Sequence, residues 1–199
     1  FWEMQCLIAA ASLANYLPLK PGFVGRIAYL SARHGIRATD SVRTIVEAIG
    51  ISALVCAGFL VALVSLRALG IDGGWALVAP LALAPVALAK PSWWLARALV
   101  IRQCEIALWT LRYWAVFRLV GAPIGLDTAV VLAGVSVIAT LVPFVSNGLG
   151  IREWAVGLLA PLIAHDPVST SQAIVAELVH RVAELAVITP LGLLAFAML

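Results

Sequence analysis

The chain alternates long apolar runs with short breaks that carry charge, proline or glycine. Residues 3–17 are an apolar run that predicts a first helix, ended by Pro18 and Pro21 because proline fixes its own φ and has no N–H to donate. Gly22 and Gly25 permit a tight turn there. Residues 23–33 read as a short helix, too short to span a bilayer at about 1.5 Å per residue, and so re-entrant or interfacial. Residues 34–44 are polar, with Asp40 as predicted N-cap of a helix over about 41–69. A helix over 75–89 contains Pro80 and Pro85, which implies a kink, and Lys90 with Trp93 and Trp94 marks a water interface. Residues 95–120 are long enough to span but carry Arg97, Arg102, Glu105, Arg112 and Arg118. They either span with a polar stripe against protein, the reading preferred here, or lie on the membrane surface. Residues 127–142 predict a helix broken at Pro143, and a loop over 144–150 leads to a short helix, 151–164, that stops near Pro161 and His165-Asp166-Pro167. Ser169 and Gln172 form a capping-box pattern for a last helix over about 170–199, kinked near Pro190.

Composition decides what solvent these helices meet. The 199 residues are 63% hydrophobic and 12% charged, which leaves too little polar surface for a soluble domain. With a mean hydropathy of +1.07, the expected fold class is all-α: a single polytopic helical membrane domain over 1–199. The alternating short segments of a β-barrel do not occur. The net charge of +3 gives no reason to expect nucleic acid. Lys20, Arg26, Arg33, Arg37 and Arg43 against Asp40 alone place that first polar stretch on the cytoplasmic face. Cys6, Cys56 and Cys104 lie in apolar sequence without metal spacing, so no metal or other cofactor is expected. The chain does not begin with Met, and a further helix or two preceding Phe1 is expected.

Residues 3–69 and 127–199 share an order: helix, proline break, glycine loop, arginine, short helix, polar turn, long helix. Residues about 75–120 connect the two blocks. Pro18 corresponds to Pro143, Gly25 to Gly150 and Arg26 to Arg152. Glu47 follows Asp40 as Glu177 follows Thr170. Repeats built on broken helices are a mark of transporter folds, and the breaks point to the substrate site.

The two breaks resemble those of the lysylphosphatidylglycerol synthase transmembrane-domain family, a flippase-like membrane domain. Leu17, Pro18, Gly22 and Arg26 match its first motif, and Pro143, Gly148, Gly150 and Glu153 its second. Ser146 and Asn147 stand where the second motif has Pro-Gly, a departure that bears on substrate preference. The resemblance implies transfer of a phospholipid or lipid-linked head group between leaflets, in what is expected to be a prokaryotic cytoplasmic membrane. Its partner would be an anionic or aminoacylated phospholipid or a polyprenyl-linked lipid. A second copy of the chain or a lipid-modifying enzyme are the protein partners this reading allows.

On that reading Arg26 and Arg152 hold a phosphate, since a guanidinium matches phosphate oxygens in pairs. N–H groups at the helix starts near Gly148, Gly150 and Gly25 add positive potential. Glu177, His180, Arg181 and Glu184 recur at helical spacing and form one stripe, in which Glu177–Arg181 and Arg181–Glu184 are the expected pairs. Glu153, Glu177 and Glu184 would meet the cationic or hydroxylated part of a head group, and Glu47 is the first block's counterpart. The alternatives are an ion-pair network that only locks two long helices and, for the arginines, interfacial anchoring. A secondary transporter of a small polar solute is the rival function. An enzyme is disfavoured, because the sequence holds no His-Glu-x-x-His and no Gly-x-Ser-x-Gly.

Overall fold

A computed structural model describes residues 2–71, 93–141 and 146–199. The described residues form helices without strands: α1 (Trp2–Ala14), α2 (Pro21–His34), α3 (Ala38–Ala68), α4 (Trp93–Leu119), α5 (Leu126–Leu141), α6 (Ile151–Ile163) and α7 (Thr170–Met198). A single 3-10 turn, Ser146–Gly148, precedes α6. The predicted helix over 75–89, with Pro80, Pro85 and Lys90, and the break at Pro143 lie outside the described residues.

Boundaries differ from expectation where a local preference is overruled. Gly22 and Gly25 lie inside α2 and make no turn; the left-handed residues of the first break are Leu19, at φ 64°, and Lys20, at φ 47°. Pro21 opens α2, a position where its missing N–H costs nothing because that group has no helical partner anyway. Asp40 falls in the first turn of α3 and does not cap it. Pro161 sits within α6 rather than ending it. The capping box at Ser169 is present: Gln172 N–H donates to Ser169 Oγ at 3.2 Å, and Ser169 N–H donates to Gln172 Oε1 at 2.9 Å.

α1 and α2 make a hairpin. Near its tip Asn15 Oδ1 accepts from the Phe23 N–H at 3.2 Å. At its open end the Tyr29 hydroxyl donates to Glu3 at 2.7 Å, and His34 Nε2 lies 3.3 Å from the same carboxylate. α5 and α6 make a second hairpin. Its open end is held by His165 Nε2 at 3.1 Å from Asp127, and by Thr128 Oγ1 donating to the Ile163 carbonyl at 3.4 Å.

Both hairpins lie against α7, from opposite ends. Cys6 and Ala10 of α1 pack on Ala195, and Leu13 meets Gly192. Farther along, Tyr16 reaches Glu184. The α1–α2 hairpin therefore occupies the C-terminal half of α7, tip inward. Gly157 of α6 packs on Ile174 near the start of α7, and Arg152 and Glu153 meet residues 177–184. The α5–α6 hairpin therefore occupies the N-terminal half, also tip inward. Small residues at these crossings let the backbones approach closely. α3 completes the frame by packing Val55, Cys56 and Phe59 on Ile106 of α4 and on Val130 and Val137 of α5.

Among the described residues, two helices are long and apolar enough to cross a membrane, Ala38–Leu66 within α3 and Thr170–Met198. Only 28% and 17% of their apolar windows are buried within the protein, whereas the core helix of a soluble domain would be mostly buried. Leu54, Val61 and Val64 of α3 and Val182, Val187, Leu191 and Leu193 of α7 face outward. Arg152, Glu177 and His180 are fully buried. This is the reverse of the partition expected in water, where a buried charge and a broad exposed apolar face are each informative. α4, at 27 residues, is about 40 Å long but too charged to qualify as such a span.

Candidate functional site

The tips of the two hairpins meet halfway along α7, and an ionic network fills the junction. α6 begins at Ile151 after Gly150, whose φ of 82° is open to glycine at little cost. This start turns Arg152 inward against α7. Its Nη2 lies 2.9 Å from Glu177 Oε1, and its Nη1 donates to Glu184 Oε2 at 3.2 Å. Nη2 also lies 3.1 Å from His180 Nδ1, and the guanidinium carbon sits 4.9 Å from the centre of the Trp109 ring. With Nδ1 accepting from Arg152, the proton of a neutral His180 is on Nε2.

Gly148 makes room for this side chain. Its φ is +73°, and a Cβ there would sit 2.9 Å from both Cγ and Cδ of Arg152. Asn147, also left-handed at φ 42°, donates from Nδ2 to Glu184 at 3.4 Å and accepts Arg181 Nη2 on its carbonyl at 2.9 Å. Arg181 pairs with Glu153.

α4 and α5 supply the floor. The Tyr113 hydroxyl donates to Glu177 and lies within hydrogen-bonding distance of Ser136 Oγ. The Tyr113 ring stacks on His180, centroids 4.6 Å apart and planes 10° from parallel. From the first hairpin, Tyr16 faces Glu184 and Asn147. Lys20 is buried and donates from Nζ to the Thr140 carbonyl in the last turn of α5. Burial without partners would cost each of these charges on the order of several kcal/mol, the cost of taking an ion out of water, so pairing is obligatory.

The expected pairing along α7 does not form. Arg181 turns to Glu153 and not to Glu177 or Glu184, which both go to Arg152. A pair along one helix is worth a few tenths of a kcal/mol, about 0.2–0.5, and the cross-helix alternatives also satisfy a buried cation from α6. Of the residues singled out in sequence, Arg152, Glu153, Glu177, Arg181, Glu184 and Gly148 come together here, with Gly150 capping the helix that carries two of them. Glu47 does not join them: it is exposed and pairs with Arg43 at 2.9 Å, one turn away on α3. Arg26 also lies elsewhere, half-buried between α2 and α3. Trp109, Tyr113, Ser136, Tyr16 and Lys20 enter the site without having been singled out for it, and Asn147, noted only as a departure from the motif, joins them.

The network is closed but keeps hydrogen-bonding capacity. Arg152 Nε, Arg181 Nε, His180 Nε2 and Glu153 Oε2 are buried with no hydrogen-bond partner among the described residues. Arg152 and Glu177 are sealed, and Glu184 and Glu153 are its most accessible carboxylates, with side chains 18% and 14% exposed. No protein-family model, curated protein or solved structure matches the chain.

Proposed function

We propose that the protein is a polytopic membrane protein of the flippase-like type. It would carry the polar head group of a phospholipid or lipid-linked compound between leaflets, past the junction of two inverted hairpin units. The observation that carries this reading is the ionic network around Arg152, held inside a bundle whose long helices turn apolar faces outward. A charge at the bilayer centre costs about 3 kcal/mol or more and persists where it is paired or wet, so such clusters mark polar pathways. Glu184 is the fifteenth of the 29 residues of α7, which puts the network at mid-helix.

Correspondences between the blocks support the repeat. Each hairpin is closed at its open end by an acid from the first turn of its first helix and a histidine at or just past the end of its second: Glu3 with His34, and Asp127 with His165. Each tip is built from left-handed residues, Leu19 and Lys20 in one, Asn147, Gly148 and Gly150 in the other. The first helix of each unit packs on the long helix of the other, α1 on α7 and α5 on α3. Because the hairpins approach α7 from opposite ends, the α2–α3 turn and the α6–α7 turn lie on opposite membrane faces in this proposal. The basic residues around the first turn set it in the cytoplasm. In a background lacking native cysteines, a cysteine at Arg37 should react with an impermeant maleimide only from the cytoplasmic side, and one at Asp166 only from the other. Labelling of both from one side would remove the inverted arrangement.

The transport test uses purified protein in vesicles of phosphatidylcholine and phosphatidylglycerol, with leaflet exchange followed by a tail-labelled fluorescent phospholipid. Wild-type protein should accelerate exchange. Glu184→Gln should lower the rate on the order of tenfold, the equivalent of one charge-assisted hydrogen bond. Glu47→Gln, in the exposed pair, should leave it unchanged. Absence of exchange by the wild type, together with proton-driven uptake of a small solute, would replace this reading by that of a secondary transporter.

A further inference from the structure

Arg26 makes no ion pair or hydrogen bond among the described residues, although it is half-buried. It borders three adjoining cavities of about 200, 170 and 430 Å³. Their linings differ in kind. In the smallest, Arg26 meets Arg102 of α4 together with Thr44 and Ser52 of α3. The largest is a groove between α1, α2 and the end of α7, walled by Leu7, Ala10, Ala14, Gly25 and Phe196. One side of Arg26 is thus cationic and hydroxylated, and the other is apolar.

The geometry points to a binding site for an anionic phospholipid, its phosphodiester between Arg26 and Arg102 and one acyl chain along the α1–α2–α7 groove. Arg26 and Arg102 line one cavity, where an anion held between them would be attracted by both. Arg102 gives one N–H to Glu105, and a guanidinium has five to give. The Thr44 and Ser52 hydroxyls donate to the Asp40 and Ala48 carbonyls at 2.9 and 2.8 Å, which leaves their oxygens to accept from a head-group hydroxyl. Thr44 lies six residues into α3 from Ala38, about 9 Å along the axis, a depth suited to a phosphate beneath a membrane surface. Apart from Arg26 and Tyr29 the groove is walled by apolar residues, which suits a hydrocarbon chain. The site rests on the lipid-transfer reading for its role and lies apart from the Arg152 network, whose own arginines are already paired.

The test is retention of phosphatidylglycerol by the full chain, purified in detergent and measured by native mass spectrometry, with a photoactivatable analogue to map contacts. Wild-type protein should retain the lipid and label in α1, α2 or α3. Arg26→Gln and Arg102→Gln should each lower retention about tenfold, as expected for one charge-assisted contact. Gly25→Leu should lower it similarly by filling the groove, since a Cβ there meets nothing within 4 Å and leaves the backbone undisturbed. Arg37→Gln, at an exposed cation, should retain lipid as the wild type does. Undiminished retention in both Arg26→Gln and Arg102→Gln, or displacement of the lipid by inorganic phosphate alone, would overturn the site. Arginine-dependent retention without leaflet exchange would leave the site standing and remove the transfer reading; exchange that survives Arg26→Gln while retention is lost would leave the site standing and remove its role in transfer.

Discussion

Replacing Arg152 by Met is expected to lower unfolding stability by about 3–5 kcal/mol, the range for removing one side of a buried ion pair. The cause is what remains behind. Glu177 has a fully buried side chain whose partners besides Arg152 are the neutral Tyr113 and its surroundings on α4 and α7. His180 Nδ1 would lose its donor, and Glu184 would keep only Asn147, at 3.4 Å. Arg152→Lys should fall between, because one ammonium cannot reproduce a planar fork that reaches two carboxylates and an imidazole. Adding Glu177→Gln to Arg152→Met should recover part of the loss, with a coupling of at least about 1 kcal/mol for residues in direct contact. Unfolding in mixed detergent, followed by circular dichroism, measures the wild type, these three variants and the Glu177→Gln single variant that the coupling requires. A cost below about 1 kcal/mol for Arg152→Met would mean that the pairing around it is not what holds the hairpin tip on α7.

How much of this was legible in the sequence depends on the range of the interaction. The stripe Glu177, His180, Arg181 and Glu184 was legible, because helical period alone puts i, i+3, i+4 and i+7 on one face. Its partners were not, because the choice between Arg181 on its own helix and Arg152 on another is made by how α6 docks. Trp109 and Tyr113 were hidden for a related reason: an aromatic in an apolar helix reads the same whether it faces lipid or stacks on a buried histidine. Lys20 read as one of several cytoplasmic charges. The signal that distinguishes it is its place inside a proline break, with no acid beside it. The break between α1 and α2 was legible from Pro18 and Pro21, yet the matching of Gly25 to Gly150 compares unlike conformations. Gly150 has φ 82°, while Gly25 is an ordinary helical residue. The left-handed work in the first break falls to Leu19 and Lys20, residues that no propensity argument assigns to it. Asp127 and His165 carried a readable signal, an acid opening one helix and a histidine closing the next, repeated at Glu3 and His34. It gains meaning only once the hairpins close.

The contrast between two glycines of α2 gives a sharp expectation. Gly22→Ala should destabilise the protein by about 3 kcal/mol or more, at or beyond the upper end of overpacking costs, while Gly25→Ala should be neutral or stabilise by up to about 1 kcal/mol. Both are helical, so helix propensity favours alanine equally at each. What differs is the neighbour. A Cβ on Gly22 would overlap the Ala11 carbonyl oxygen and lie 2.6 Å from Asn15 Oδ1, whereas one on Gly25 meets nothing within 4 Å. Ala11 offers backbone and cannot rotate away, so α1 and α2 would have to separate at their tip. That movement would strain the Asn15 contact to the Phe23 N–H and shift Tyr16 and Lys20, the two residues that the first hairpin sends to the junction. Gly22→Ala should therefore act beyond stability. In the leaflet-exchange assay it should lose activity as Glu184→Gln does, even at temperatures where it remains folded, and Gly25→Ala should not. Equal stability of the two variants would show that the hairpin tip tolerates a wider spacing than the close packing of α1 on α2 implies.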